Sequence, residues 1–486
     1  MTEIAGVLLD TRHWIGGQRV ASPETFPDHS PIDGSLIAEI SRGGASEAAA
    51  AVAAASDAFP AWAATSRAER ARILHAIADG VEKRLEDLAN VETVDNGALL
   101  RSHRRGVMPR VAHNFRFFAD WLLSLGHDDF ETRGHANHVS WDPAGPSVLI
   151  TPWNAPLMLA TWKVAPALAA GNTVILKPAE WSPLTASLLA DIAHEAGLPA
   201  GVLNVVQGYG AEAGAALVAD PRVRRISFTG SVPTAQRIAE AAARNLTPLS
   251  LELGGKSPLL VFADADLDLA VDLAVEQYDN AGQVCLAATR LLVESSIADE
   301  FTARFLARAA SLKQGDPRDE ATDMGPNIHQ RQVDKIDGFV RRALDAGATA
   351  LLGGEPNADL GGLYYRPTLI TGMAPDAEII TEEVFGPVLT LQTFSSEEEA
   401  VELANGTRFG LAATVATGDR QRAERVTARL VAGTVWVNCF FVRDLQAPFG
   451  GARQSGVGRE GGTWSFDFYC DIKNTVMAPK GWQNNG

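Results

Sequence analysis

Cysteine is scarce in this chain: three residues in 486, Cys285, Cys439 and Cys470. So few and so scattered, they exclude a disulfide framework or a thiolate zinc site and point to a reducing compartment. Positive charge is also short, with 42 Lys and Arg against 59 Asp and Glu and a formal net charge of −17. That balance argues against nucleic acid or an anionic membrane as partner. No apolar run is long enough for a bilayer, since the Ala-rich stretch from Ala45 to Ala64 is broken by Ser46, Glu47, Ser56, Asp57 and Pro60 and reads as a soluble helix. The start, Met1 to Gly6, lacks a basic region followed by an apolar one, so no secretion signal is expected and a cytoplasmic location is. The ten histidines show no His-x-x-x-His spacing, and His194-Glu195 lacks the second His of a metalloprotease helix, so no metal is expected. The usual dinucleotide fingerprint is missing too. Gly208-Tyr209-Gly210 approaches it, but Gly214 comes one residue too late.

What is present suggests an α/β enzyme. A chain of this length holds roughly three domains, each able to bury a core. From Ser147 onward, short β-branched runs alternate with helical patterns, as βαβ units do. Strands are expected at 147–151, 173–177, 202–206, 225–228 and 248–253. A helix is expected over 156–170, with Pro156 in its first turn and Gly171 ending it, and another over 183–196, closed by Gly197. Ligands of open α/β sheets bind beyond the carboxyl ends of the strands, where Asn154, Lys177, Gly208, Gly230 and Glu252 all fall. A second α/β half comes after Gly254, with helices expected over 266–278 and 297–312 and strands at 290–293, 389–394, 412–416 and 434–438. The polar insertion from Gly126 to Asp142 reads as a loop able to form a hairpin.

Four segments carry chemistry. Cys285 lies in Asn280-Ala281-Gly282-Gln283-Val284-Cys285, and Glu252 precedes Gly254-Gly255. A thiol among small residues and a carboxylate beside glycines are the parts needed to attack a carbonyl and then hydrolyse the thioester. The other two segments are Ile150-Thr151-Pro152-Trp153-Asn154-Ala155-Pro156 and Glu382-Glu383-Val384-Phe385-Gly386-Pro387. In this order and at these separations, the four resemble the NAD(P)-dependent aldehyde dehydrogenase superfamily over essentially the whole chain.

The resemblance implies a variant Rossmann cofactor domain (1–122 and 144–254), an α/β catalytic domain (255–453), and a small β oligomerisation arm with the tail (123–143 and 454–486). It also implies a homodimer or homotetramer. Cys285 would be the nucleophile, Glu252 the base for water, and Asn154 an oxyanion donor beside the backbone N–H of Cys285; read locally, Asn154 is equally a helix cap before Pro156. The dinucleotide would be NAD, because Glu180, paired with Lys177 at the adenosine ribose, repels a 2′-phosphate. Thr151, Pro152, Trp153, Gly210, Phe228, Gly230, Ser231 and Leu253 would line its site. Glu383, Phe385 and Gln332 would hold the nicotinamide end.

Two further stretches, Trp162 to Gly171 and Val442 to Gly462, are similar to the 5-carboxymethyl-2-hydroxymuconate and 2-hydroxymuconate semialdehyde dehydrogenase group. Such substrates carry a carboxylate and call for an arginine. Gln446 stands where many of that group have Arg, so Arg110 is the candidate replacement, a surface or interdomain salt bridge being the plainer reading of it. Phe440, Phe441 and Phe449 around Gln446 would also suit an uncharged aromatic aldehyde. A CoA-acylating semialdehyde dehydrogenase and a non-catalytic protein on the same fold compete with these readings. Glu252 disfavours the first, and the joint presence of Cys285, Glu252, Asn154, Lys177 and Glu383 disfavours the second.

Overall fold

The computed structural model describes residues 1–126 and 128–482. His127 and residues 483–486, which belong to the expected arm and tail, lie outside the described residues.

Five parallel strands form the centre of an eight-stranded sheet, in the order Leu249–Glu252, Arg225–Thr229, Ser147–Ile150, Val174–Lys177 and Leu203–Val205. Ser147–Ile150 is apolar on both faces, as a sheet covered on two sides requires, while Arg225–Thr229 and Leu249–Glu252 carry Ser227, Ser250 and Glu252 on one face. Val148, Ile175 and Ile226 turn to the face packed by the helices Ala45–Ala63 and Val232–Ala243, while Leu149, Leu176 and Leu203 turn to the helices Pro156–Ala170 and Leu184–Glu195. The first of these last two ends where the Gly171 pattern predicts. Gly171 adopts φ +95°, and a Cβ there would meet Pro143 Cγ at 2.8 Å, so both the turn and the packing need glycine.

The register aligns the strand ends. Lys177 and Phe228 both pair with Ile150, and Glu252 pairs with Thr229. The chain runs outward from Ser147–Ile150 in one direction and returns to its other side with Arg225–Thr229, which makes this strand the switch point of the sheet. At the edges, His13–Ile15 and Gln18–Val20 extend one side antiparallel, and Gly456–Val457 pairs with Leu251 and Glu252 on the other.

A second sheet of seven strands includes Pro258–Val261, Arg290–Glu294, Val388–Phe394, Ala412–Ala416 and Thr434–Val437, all parallel. Its faces are covered by the helices Leu267–Val275 and Ala298–Ala309 on one side and Glu397–Asn405 on the other. The expected helix over 266–278 is shorter than its apolar pattern. After Val275 the chain tightens, Asp279 is extended, and Asn280 and Ala281 take φ +50° and +55°. This reversal sends Cys285 back toward the first sheet.

The 126–142 insertion is more than a loop. Asp128–Thr132 and His135–Pro143 form a hairpin, and the tail strand Cys470–Met477 pairs with it along eight residues. Of the tail, Cys470–Met477 is the part that pairs with the hairpin. Gly456–Val457 is an edge of the first sheet, and the helix Gly462–Tyr469 packs on Pro156–Ala170.

Candidate active site

Glu252 ends its strand at the aligned edge and is buried, with no hydrogen-bond partner for either carboxylate oxygen among the described residues. Burial, then the neighbouring Glu460, hold its pKa well above the carboxylate range; Lys163, Arg443 and Arg459 act against them. The tail fixes the two residues after Glu252. Ser455 takes the Leu253 N–H on its carbonyl at 3.0 Å and donates its hydroxyl to Gly254 O at 2.8 Å. Behind Glu252, Lys163 Nζ donates to Glu460 Oε1 at 2.7 Å and to Ser227 Oγ at 2.9 Å, all of them buried.

Cys285 comes after the strained turn. Burial first, then the charges of Glu383 and Glu252, push its thiol up to about 12, while Arg443 and its own backbone N–H favour the thiolate. Both groups are thus shifted toward their neutral forms. Asn154 Nδ2 donates to Gln283 O at 2.8 Å, and Asn280 Nδ2 donates to Asn154 O at 3.0 Å. Asn154 is thus laced to the cysteine loop and has a second amide hydrogen left. It does not cap the helix, whose N-cap is Ala155 without a side-chain bond.

The expected cofactor residues gather along the same edge. Lys177 Nζ meets Glu180 Oε2 at 3.3 Å. Thr151 is tied to Lys177 O at 3.2 Å, and Trp153 stands edge-on to Phe385 with centroids 5.3 Å apart. Phe228 is buried beneath Gly230, where a Cβ would meet its ring at 2.5 Å. Ser231 and Gly210 are exposed, each at the start of a helical turn. Across the crevice, Glu383 Oε1 accepts from Gly255 N at 3.0 Å, and a Cβ on Gly254 would come within 2.3 Å of Glu383 Oε2. Glycine is what lets that carboxylate cross. Gln332 donates its amide to Phe385 O at 2.7 Å and Val384 O at 3.2 Å, so it braces Phe385, and only its carbonyl oxygen remains for a ligand.

On the substrate side, Gln446 and Phe441 are exposed. Left-handed backbone at Asn438 and Phe441 reverses the segment, and Arg443 takes the inward place: it sits over Phe449 at 3.6 Å and Trp162 at 5.3 Å, close enough to Cys285 and Glu252 to perturb both. Arg110 approaches the same Trp162 at 5.8 Å and donates to Asn114 Oδ1 at 3.1 Å. Its neighbours Arg104 and Arg105 form ion pairs with Glu86 and Glu320, but among the described residues neither Arg110 nor Arg443 has a carboxylate within ion-pair distance. The salt-bridge reading of Arg110 therefore fails. Burial lowers both guanidinium pKa values; the charge of Arg443 lowers that of Arg110 further, to about 10, while Cys285, Glu252 and Glu460 act to raise that of Arg443. Arg443, Lys163 and Glu460 were missed as site residues. All three lie in segments that resemble the family, yet no local spacing links them to Cys285.

Residues 18–475 match the aldehyde dehydrogenase family profile, and the chain belongs to that family. It is 46% identical to the 2-hydroxymuconic semialdehyde dehydrogenase of Pseudomonas sp. (strain CF600), over 97% of this chain and 100% of that one. It is 41% identical to the 2-aminomuconic semialdehyde dehydrogenase of Danio rerio, over 96% and 98%. Among solved structures, betaine aldehyde dehydrogenase from Staphylococcus aureus in complex with NAD+ superposes with a TM-score of 0.95 at 37% identity, covering 98% of this chain and 97% of that one.

Proposed function

We propose that the protein oxidises a carboxylated, muconic-type semialdehyde to the acid, using NAD and a covalent intermediate on Cys285. The observation that carries the substrate class is the pair of arginines on Trp162. Two half-buried guanidinium groups with no carboxylate partner among the described residues favour a ligand that supplies the anion. Both lie against Trp162, and Arg443 is near enough to Cys285 to act on its thiol, which suits a substrate whose carboxylate lies some distance from its aldehyde.

The residues fit a dinucleotide. Gly210 leaves open space at the start of its helical turn, with nothing within 4 Å of a Cβ there, and Lys177 with Glu180 stands at the strand ends. Thr151, Pro152, Trp153, Gly210, Phe228, Ser231 and Leu253 would line the dinucleotide's path; Gln332, Glu383 and Phe385 would set its nicotinamide end. When bound, the nicotinamide supplies the hydride acceptor. Everything else falls to side chains. Cys285 Sγ attacks the carbonyl carbon, its thiolate favoured by Arg443, and the free N–H of Asn154 stabilises the resulting oxyanion. Glu252 then takes a proton from water, which attacks the thioester and releases the acid and the thiol. That base is what distinguishes hydrolysis from transfer to CoA.

The test is NADH formation with a carboxylated semialdehyde and with benzaldehyde, with and without CoA, and with NADP in place of NAD. Preference for the carboxylated aldehyde and NAD, indifferent to CoA, is expected. Outright preference for benzaldehyde would favour a general aromatic aldehyde dehydrogenase. Assembly into a homodimer or homotetramer through the hairpin and tail strand belongs to the same reading, supported by exposed Ile472, Val476 and Met477; a monomer in sedimentation would overturn it. So does a cytoplasmic location, supported by the composition.

A further inference from the structure

The N-terminal segment reaches the nucleotide crevice through one buried side chain. His13 lies in the strand His13–Ile15, between the edge strand Gln18–Val20 and the central strands, which it joins through Trp14 against Val205. Beyond Val205 the ladder stops, and the imidazole continues it: Gln207 N donates to His13 Nδ1 at 3.0 Å. The carbonyl of the same residue accepts from Gly43 N at 3.1 Å. Both backbone groups of Gln207 are thus held from the N-terminal 43 residues. On its other side His13 Nε2 meets Ser22 Oγ at 2.7 Å, which requires Nε2 to carry the hydrogen while Nδ1 accepts. Complete burial keeps the ring neutral, with its pKa down to about 4, so this tautomer is stable at neutral pH.

The packing is interlocked. A Cβ on Gly43 would meet Gln207 O at 2.6 Å and His13 Cε1 at 3.0 Å, and one on Gly208 would meet Gly43 O at 2.8 Å. The loop that this arrangement sets is Gly208-Tyr209-Gly210. Tyr209 lies between Phe26, at 5.2 Å, and Arg42, at 5.2 Å, and Arg42 in turn grips Glu212 with bonds of 2.9 and 2.6 Å.

We propose that His13 is a positioning residue for the adenosine half of the dinucleotide, acting through the backbone of Gln207 to fix the 208–210 loop. This rests on the reading of that loop as part of the cofactor site. His13 touches neither Cys285 nor the residues expected at the nicotinamide, so it governs affinity and not turnover.

The experiment measures the NAD dissociation constant of the purified enzyme by tryptophan fluorescence, alongside kcat at saturating NAD. His13→Leu should weaken NAD by about tenfold, the scale of one lost buried hydrogen bond with its partner stranded, and leave kcat within about twofold. His13→Asn, whose Oδ1 replaces Nδ1 as acceptor, should recover most of the affinity. Gly43→Ala, pressing on Gln207 O from the same side, should reproduce the His13→Leu effect and serves if that variant does not fold. Equal loss in His13→Asn and His13→Leu, or a fall in kcat with unchanged affinity, would overturn the proposal. Gly210→Val reports on the underlying reading: unchanged NAD affinity there would remove the loop from the cofactor site, and this proposal with it.

Discussion

The two sides of the crevice are built by different means. The side proposed for the cofactor is made of strand ends: Thr151, Lys177, Phe228 and Glu252 lie at or just beyond the ends of adjacent parallel strands, and register alone brings them together. The substrate side is made of residues that no ladder connects. Arg110 comes from the helix Met108–Ser124, Trp162 from Pro156–Ala170, and Arg443 and Phe449 from a loop reversed by left-handed residues. A strand-end site is set by topology, whereas a site made by helix and loop packing is free to change its chemistry without altering the sheet.

That contrast can be broken at several points. The largest effect is expected from Cys285→Ala, which removes the nucleophile at the meeting of the two sides: kcat should fall by about 10⁴-fold or more while NAD affinity is retained. Substantial turnover by this variant would dismiss the covalent route. Asn154→Ala, on the strand-end side, should lower kcat by about 10²–10³-fold for every aldehyde, the scale of one oxyanion donor. A rise in KM at constant kcat would assign Asn154 to binding instead. On the packed side the loss should discriminate. Arg110→Ala should cost a carboxylated semialdehyde about 2–4 kcal/mol in kcat/KM and leave benzaldehyde nearly unaffected, whereas Arg443→Ala, which also removes support for the Cys285 thiolate, should slow both and the carboxylated substrate more. Equal losses for both substrates would make the arginines structural.

The smallest effect concerns pH. Glu252 accepts a proton only when ionised, and the charge of Glu460 helps to hold its pKa up, so deacylation should rise with pH. Glu460→Gln removes that negative charge, lowers the Glu252 pKa and should move the acid limb of kcat to lower pH, by roughly half to one unit. An unmoved limb would uncouple the two groups.

The same contrast explains what the sequence disclosed. Strand and helix positions from Ser147 to Glu252 are legible in β-branched runs and in Pro156 and Gly171, because those signals are local. The lacing of Asn154 to the cysteine loop was not legible, since it depends on φ +50° and +55° at Asn280 and Ala281, and only the first of these is a residue that favours a turn. The pairing of Cys470–Met477 with His135–Pro143 spans more than three hundred residues, and no period reveals such a partner. Arg443 was hidden for the reverse reason. It stands three residues from Gln446, the position that the resemblance singled out, and only the folded loop shows which of the two turns inward.

The covalent route itself is tested most directly in Glu252→Gln. Mixed with NAD and a carboxylated semialdehyde, this variant should release close to one NADH per site in a burst, then turn over very slowly, since the water step has lost its base. Intact mass should show the protein heavier by the acyl group, carried on the peptide containing Cys285. A burst without the adduct, or an adduct on another residue, would contradict the assignment.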